Sequence, residues 1–314
     1  MSEGLITPTI ADALREAATS LRVAGVADAR REAGSLLAHA TGRDRTFLIT
    51  HADEELTANQ LSVFRECVAR RAAGEPLQYV TGRQWFYGLE FEVTHDVLIP
   101  RPETELLVET ALELLKDTPS PRVCDVGTGS GCVAVALLHE RSDARAHALD
   151  ISPAALRVAE RNAARHGVRE RMTTLFSDCF SALEGVEGKP GEGERKPVDG
   201  ENGEVVDKSK ARFDLIASNP PYVAEHELEG LQREVREHEP RAALTPGGDG
   251  LSVVSRLVSE SPRYLKPRGQ LLVEIGFGQH EAVRAFVDTR IWTLLGIRED
   301  LQGIPRTVAL QLNE

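Results

Sequence analysis

The stretch Arg122-Val123-Cys124-Asp125-Val126-Gly127-Thr128-Gly129-Ser130-Gly131-Cys132 decides the reading of this chain. Val123 to Val126 has the texture of a short buried strand, three glycines then turn the backbone, and Ser130 to His139 reads as a helix. The pattern repeats downstream. Ala146 to Leu149 reads as a strand ending at Asp150, and Pro153 to His166 as a helix with Ser152 as its N-cap. Met172 to Phe176 and Phe213 to Ala217 read as strands, Leu251 to Leu265 as a helix, Gln270 to Ile275 as a strand and Gln279 to Val287 as a helix. Ile291 to Ile297 and Thr307 to Leu312 close the chain as strands. Alternating strands and helices predict an α/β domain over residues 101–314, with a mainly parallel seven-stranded sheet covered on both faces. The last two strands have no helix between them, which predicts an antiparallel C-terminal edge.

Ahead of that domain the texture differs. Ile10, Leu14, Ala17 and Leu21 keep helical spacing behind Thr7 or Thr9 as cap; Ala29 to Ala40 and Thr57 to Ala73 read as two more helices. Residues 1–76 are therefore expected to form a small helical domain. From 77 to 100 the chain turns β-branched and aromatic, with Gly82 and Gly88 as punctuation, and predicts a β-hairpin linker. Trp85 and Phe86 are read there as interdomain core. Glu103 to Lys116 predicts a helix that starts acidic. Gly185 to Lys210 has no aromatic residue, Leu or Ile, too little apolar surface to offset the entropy of ordering, and is expected to be a flexible insertion.

Composition narrows the function. The 314 residues carry 37 Lys and Arg against 49 Asp and Glu, a net charge of −12, which argues against broad neutralisation of nucleic-acid phosphates. No apolar run is long enough to span a bilayer, and the N-terminus lacks a secretory pattern. The four cysteines form no C-x-x-C pair, so neither a disulfide framework nor a metal site is expected and a cytoplasmic location is.

Chemistry-bearing residues fall at the carboxyl ends of the predicted strands. Gly127, Thr128, Gly129, Ser130 and Gly131 form a turn whose backbone can approach a ligand and whose amides sit at a helix start. The spacing is G-x-G-x-G rather than the dinucleotide G-x-G-x-x-G. Asp150 can accept hydrogen bonds from two ribose hydroxyls. Loop and acid together point to a nucleoside ligand without separating a nicotinamide cofactor from S-adenosylmethionine; a bare βα turn is the alternative. Asp178 can accept from an adenine amino group or serve as a turn residue.

Asn219-Pro220-Pro221-Tyr222 follows the fourth strand of the domain. Two prolines fix φ and remove donors, so the loop is stiff and its acceptors are preset. The Asn219 side-chain oxygen and the Pro220 carbonyl can each take one hydrogen of a planar –NH₂ group, with Tyr222 against its flat face. Holding both hydrogens would aim the nitrogen lone pair at an electrophilic carbon.

These residues carry a family resemblance. Gly127 to Gly131, Asp150 and Asn219 to Tyr222 resemble a class I S-adenosylmethionine-dependent methyltransferase, with its Rossmann-like fold. Ile99-Pro100-Arg101-Pro102-Glu103-Thr104-Glu105, Leu244-Thr245-Pro246-Gly247-Gly248-Asp249-Gly250-Leu251 and the helical N-terminal domain resemble the release factor glutamine methyltransferases. The resemblance implies transfer of a methyl group to N5 of the glutamine in the Gly-Gly-Gln loop of class 1 peptide chain release factors. Gly127 to Gly131, Asp150, Asp178, Cys179 and Asn219 would hold the cofactor, Asn219 to Tyr222 the glutamine amide, and the helical domain the release factor. Arg101 or Thr104 would line the methionine end of the cofactor, or Glu103 and Thr104 would cap the helix. Family members often carry Trp where this chain has Cys179, and the 185–210 insertion is a second departure. A glutamine of a ribosomal protein, an adenine amino group and a non-catalytic scaffold role are the competing readings.

Overall fold

In a computed structural model, residues 7–184 and 212–314 are described; the 185–210 insertion lies outside them. Helices come first: α1 (Ile10–Val23), α2 (Ala29–Thr41), α3 (Arg45–Thr50), α4 (Ala58–Ala72) and α5 (Leu77–Thr81). Thr9 caps α1 by accepting from the Asp12 amide, and Thr57 with Gln60 forms a reciprocal capping box on α4. Leu21, Leu36, Leu37 and Phe64 meet in a core separate from that of the sheet. The six-residue α3 was not foreseen; it stands on Asp44, which accepts from the Phe47 amide at 2.7 Å. A hairpin follows, β1 (Arg83–Phe86) against β2 (Leu89–Glu92), so Leu77 to Thr81 of the expected linker is helical instead, ended by Gly82 in the left-handed region. Phe86 is buried in the core of the sheet domain, but Trp85 is 65% exposed. Neighbours on a strand point to opposite faces, and the two aromatics therefore separate.

A 3₁₀ turn at Pro102–Thr104 leads into α6 (Glu105–Leu114), then β3 (Arg122–Val126), α7 (Cys132–Glu140), β4 (Arg145–Asp150), α8 (Pro153–Arg165), β5 (Met172–Phe176) and β6 (Phe213–Ser218). Two short helices, α9 (Arg233–His238) and α10 (Arg241–Leu244), precede α11 (Ser252–Glu260), β7 (Leu265–Glu274), α12 (His280–Phe286), β8 (Trp292–Glu299) and β9 (Pro305–Leu312). The sheet order is β5-β4-β3-β6-β7-β9-β8. The first five strands are parallel, and β9 runs antiparallel to both β7 and β8, as the sequence predicts.

One consequence of this order positions the site. The chain builds outward from β3 through β4 to β5, then returns to place β6 on the other side of β3. The glycine turn after β3 and the Asn219 turn after β6 thus meet at the point where strand order reverses, the usual place for a ligand crevice in such sheets. Ser218 locks the junction by donating to the Val126 carbonyl at 2.6 Å.

The helical region is fastened to the sheet region through charge. The buried Arg71 of α4 bonds Glu32 at 2.5 Å and reaches Glu234 of α9 at 2.9 Å. The hairpin is fastened through Asn162 of α8, which accepts from the Glu92 amide and donates to the carbonyls of Glu92 and Ser130.

Candidate active site

The glycine turn is shaped by what its neighbours leave room for. Gly127, Gly129 and Gly131 all have positive φ. A Cβ on Gly131 would stand 3.0 Å from that of Ala159, so glycine lets α7 and α8 pack closely. Most of the turn's amides are already satisfied. Those of Gly127 and Thr128 donate to the Leu149 carbonyl, that of Gly131 to the Thr128 carbonyl, and that of Gly129 to Asp150 at 2.8 Å. The expectation that these amides face a ligand is corrected accordingly. A turn whose amides are spent internally is a poor pyrophosphate cradle, which argues against a dinucleotide.

Around it lies a cavity of about 550 Å³. Asp125, Asp150 and Asp178 line it, with Arg256 as a cationic partner. Thr128 turns its hydroxyl away to donate to Asp125 at 2.7 Å. Asp125 is pushed up to about 6 by burial, against that hydrogen bond and one from the Ala134 amide. Burial likewise raises Asp150, whose two oxygens accept from the amides of Gly129 and Ser152. Each oxygen keeps a lone pair for an incoming hydroxyl. Ser130 Oγ is buried with no partner among the described residues and lines the cavity. Asp178 is exposed and accepts from Arg256 at 2.8 Å, a partner the sequence did not suggest. Cys179 lines the wall with φ 46; burial pushes its thiol up to about 11, so it presents a neutral surface. The exposed Ile151 is a further lining residue that sequence reasoning missed. An acid-rich cavity with a neutral sulfur wall and no free anion cradle fits a cationic nucleoside such as S-adenosylmethionine.

Asn219 and Pro220 form part of this wall and also part of the wall of a second cavity, of about 600 Å³. The second is lined by Arg101, Glu103, Tyr222, Glu239, Glu274 and Arg306 among others. Asn219 Nδ2 donates to Thr104 Oγ1 at 3.0 Å, which leaves Oδ1 as the free acceptor of the amide. Thr104 lines the first cavity, but Arg101 does not: it pairs with the buried Glu239, whose carboxylate also accepts from the Ile99 amide. Of the two residues offered for the methionine end of the cofactor, only Thr104 lines the first cavity.

The Asn219 turn is buttressed from behind by the segment around Gly250. The Val223 amide donates to the Leu244 carbonyl and the Glu225 amide to the Gly248 carbonyl. A Cβ on Gly250 would stand 2.2 Å from the Tyr222 carbonyl oxygen, and its φ is +81°, so only glycine fits. Gln279 donates to that same carbonyl at 2.8 Å. Tyr222 points its hydroxyl toward Glu274 Oε1 at 3.4 Å, and burial raises its phenol well above the ordinary value.

Comparison with known proteins agrees with this geometry. Residues 12–82 match the family model for the PrmC N-terminal domain and residues 102–188 that for the methyltransferase small domain. A release factor glutamine methyltransferase of Cereibacter sphaeroides is 41% identical over 96% of this chain and 98% of its own length. Another, from Nitratidesulfovibrio vulgaris, is 39% identical over 97% and 96%. Among solved structures, the hMettl16 catalytic domain in complex with a 3′UTR hairpin aligns over 79% of this chain and 82% of its own, with a TM-score of 0.53 at 17% identity, a likeness of fold. A methyltransferase sheet, a helical region that matches its own family model and relatives near 40% identity from end to end lead to one conclusion: the chain belongs to the release factor glutamine methyltransferase family.

Proposed function

We propose that this protein methylates N5 of the glutamine in the Gly-Gly-Gln motif of class 1 peptide chain release factors, with S-adenosylmethionine as donor. The observation that carries the proposal is the shared wall. Asn219 and Pro220 face a nucleoside-sized cavity on one side and a target-sized cavity on the other. The cofactor supplies an electrophilic methyl carbon on a sulfonium. Everything else is asked of the protein.

A carboxamide nitrogen is a poor nucleophile because its lone pair is delocalised into the carbonyl. Asn219 Oδ1 and the Pro220 carbonyl accept its two hydrogens and concentrate density on nitrogen. Pro220 and Pro221 have no N–H, so no donor competes at that wall. Each preorganised contact of this kind is worth about 10²–10³ in rate. Asp150 binds the ribose, Gly127 to Gly131 give the backbone its close approach, and Asp178 with Cys179 borders the base. The helical region over residues 1–76 docks the release factor, and the hairpin over 77–100 carries it against the 101–314 domain. The names of the relatives favour a release factor over a ribosomal glutamine or an adenine amino group as target. The reading places the protein in the cytoplasm, where release factors work, and requires no nucleic acid.

The test uses labelled cofactor with a purified release factor and with a variant whose motif glutamine is alanine. Label should enter the first and not the second. Equal labelling of both would end the proposal.

A further inference from the structure

Among the described residues, Arg101 and Arg306 are the two cations that line the target cavity, and neither lines the cofactor cavity. They come from distant parts of the chain. Arg101 precedes the turn into α6. Arg306 lies in β9, where its carbonyl accepts from the Ile275 amide at 2.8 Å, which fixes it beside the end of β7.

Each is held in the same way, by a buried carboxylate that the backbone has already fixed. Arg101 donates through Nη2 to Glu239, whose side chain is 1% exposed and also accepts from the Ile99 amide at 3.3 Å. Arg306 donates through Nε to Asp300 at 3.0 Å, and Asp300 also accepts from the amides of Gln302 at 2.9 Å and Ile304 at 3.0 Å. The remaining donors, Nε and Nη1 of Arg101 and Nη1 and Nη2 of Arg306, have no hydrogen-bond partner among the described residues. Two planar forks, each braced at one nitrogen and with donors left over, are preset to bind oxygen acceptors. Gln78 and Gln232 line the cavity as well, but no hydrogen bond among the described residues braces either carboxamide.

The acceptor follows from the chemistry of the target. The two glycines before the motif glutamine have no side chain, so a protein can grip them only by their main chain. The side-chain oxygen of the glutamine is the wrong acceptor. A cationic donor there would draw the nitrogen lone pair further into the carbonyl and oppose transfer. A main-chain carbonyl carries no such penalty, and glycine lets it approach closely.

We propose that Arg101 and Arg306 hold main-chain carbonyl oxygens of the Gly-Gly-Gln loop, and that Glu239 and Asp300 are the positioning residues that aim them. The proposal rests on the release-factor reading of the target cavity. Contacts to the main chain are the same before and during methyl transfer, so they act on substrate binding and leave the chemical step alone. That separates the two arginines from Asn219, whose contacts act on the step itself.

The experiment measures methyl transfer to full-length release factor by wild type, R101K, R306K and D300N, with S-adenosylhomocysteine affinity and thermal unfolding as checks on folding. The wild type must label the motif glutamine first; if it does not, the functional proposal fails before this one is reached. Lysine keeps the charge and loses the fork. R101K and R306K should each raise KM for the release factor about tenfold or more, with kcat and S-adenosylhomocysteine affinity within about threefold of wild type. D300N keeps the Arg306 guanidinium and removes the oxygen that braces it, so KM should rise by a smaller factor with kcat again unchanged. A wild-type KM in either lysine variant would remove that arginine from the anchor. A loss confined to kcat would overturn the proposal, because it would place the guanidinium on the reacting amide. A rise in KM matched by equal losses of cofactor affinity and thermal stability would also overturn it, reducing the pairs to fold contacts. R306K and D300N carry the test even if R101K folds poorly.

Discussion

The two cavities that meet at Asn219 and Pro220 are built on different physical terms. The first is fixed by backbone: glycines with positive φ, amides spent on neighbouring carbonyls, and Asp150 braced by two more amides. The second is fixed by side chains from distant parts of the sequence, with Arg101 against Glu239, Asn219 against Thr104 and Tyr222 toward Glu274. A backbone-built site is tolerant, because its shape survives most side-chain changes nearby. A site built from side-chain hydrogen bonds is directional and fails when one donor or acceptor is lost. The difference suits a small invariant cofactor on one side and an oriented amide on the other.

The strongest way to break this contrast is Asn219→Ala. Methyl transfer should fall about 10²–10³-fold, while S-adenosylhomocysteine affinity, measured calorimetrically, stays within about threefold because Asn219 is one wall residue of a cavity held mainly by backbone. A parallel loss of both would mean that the two cavities act as one. Gly250→Ala is next. Its Cβ would collide with the Tyr222 carbonyl in a left-handed conformation, and stability should drop by about 2–4 kcal/mol. Thermal unfolding followed by circular dichroism reads this directly, and an unchanged midpoint would show that the buttress can yield.

Glu274→Gln gives a third test through stability, independent of turnover. Burial raises the folded Glu274 from an ordinary 4.5 to about 7. Within that window the native protein keeps a proton that the unfolded chain has released, so its stability falls as pH rises and the full penalty is present above about 7. Gln cannot ionise. Between pH 5 and 8 the variant should gain on wild type by on the order of 2 kcal/mol in urea unfolding. A constant difference would place Glu274 in a wetter setting than its 1% exposure indicates. The smallest effect is expected for Asp150→Asn, which keeps one acceptor oxygen. Cofactor affinity should weaken about tenfold with kcat nearly unchanged; a large kcat effect would blur the division of labour.

Much of the fold was readable because its signals are local. Met172 to Phe176 is a strand as read, and the caps Thr9 and Ser152 fall where the sequence placed them. Helix starts were less legible. The helix read from Ser130 begins at Cys132, since Gly129 and Gly131 hold left-handed conformations that a helix cannot accept. The short α9 and α10 gave no readable signal; each spans too few residues to show a periodic apolar face. Trp85 and Phe86 look alike in sequence, yet one is exposed and one buried, because burial depends on which face of the hairpin meets the sheet domain.

The sequence by itself determined the alternation that makes a parallel sheet, the turns that must be glycine or proline, and hence which residues sit at the carboxyl edge. Those are matters of short-range sterics and periodicity. What only the tertiary structure decided is who faces whom. Thr104 meets Asn219 across 115 positions, and Glu274 and Arg306 join them, because strand order reverses beside β3 and the antiparallel β9 returns the chain to that edge. No local propensity encodes a contact made by the order in which strands pair. The acceptor proposed to face the target amide is therefore a property of the fold, although each residue that supplies it is legible one at a time.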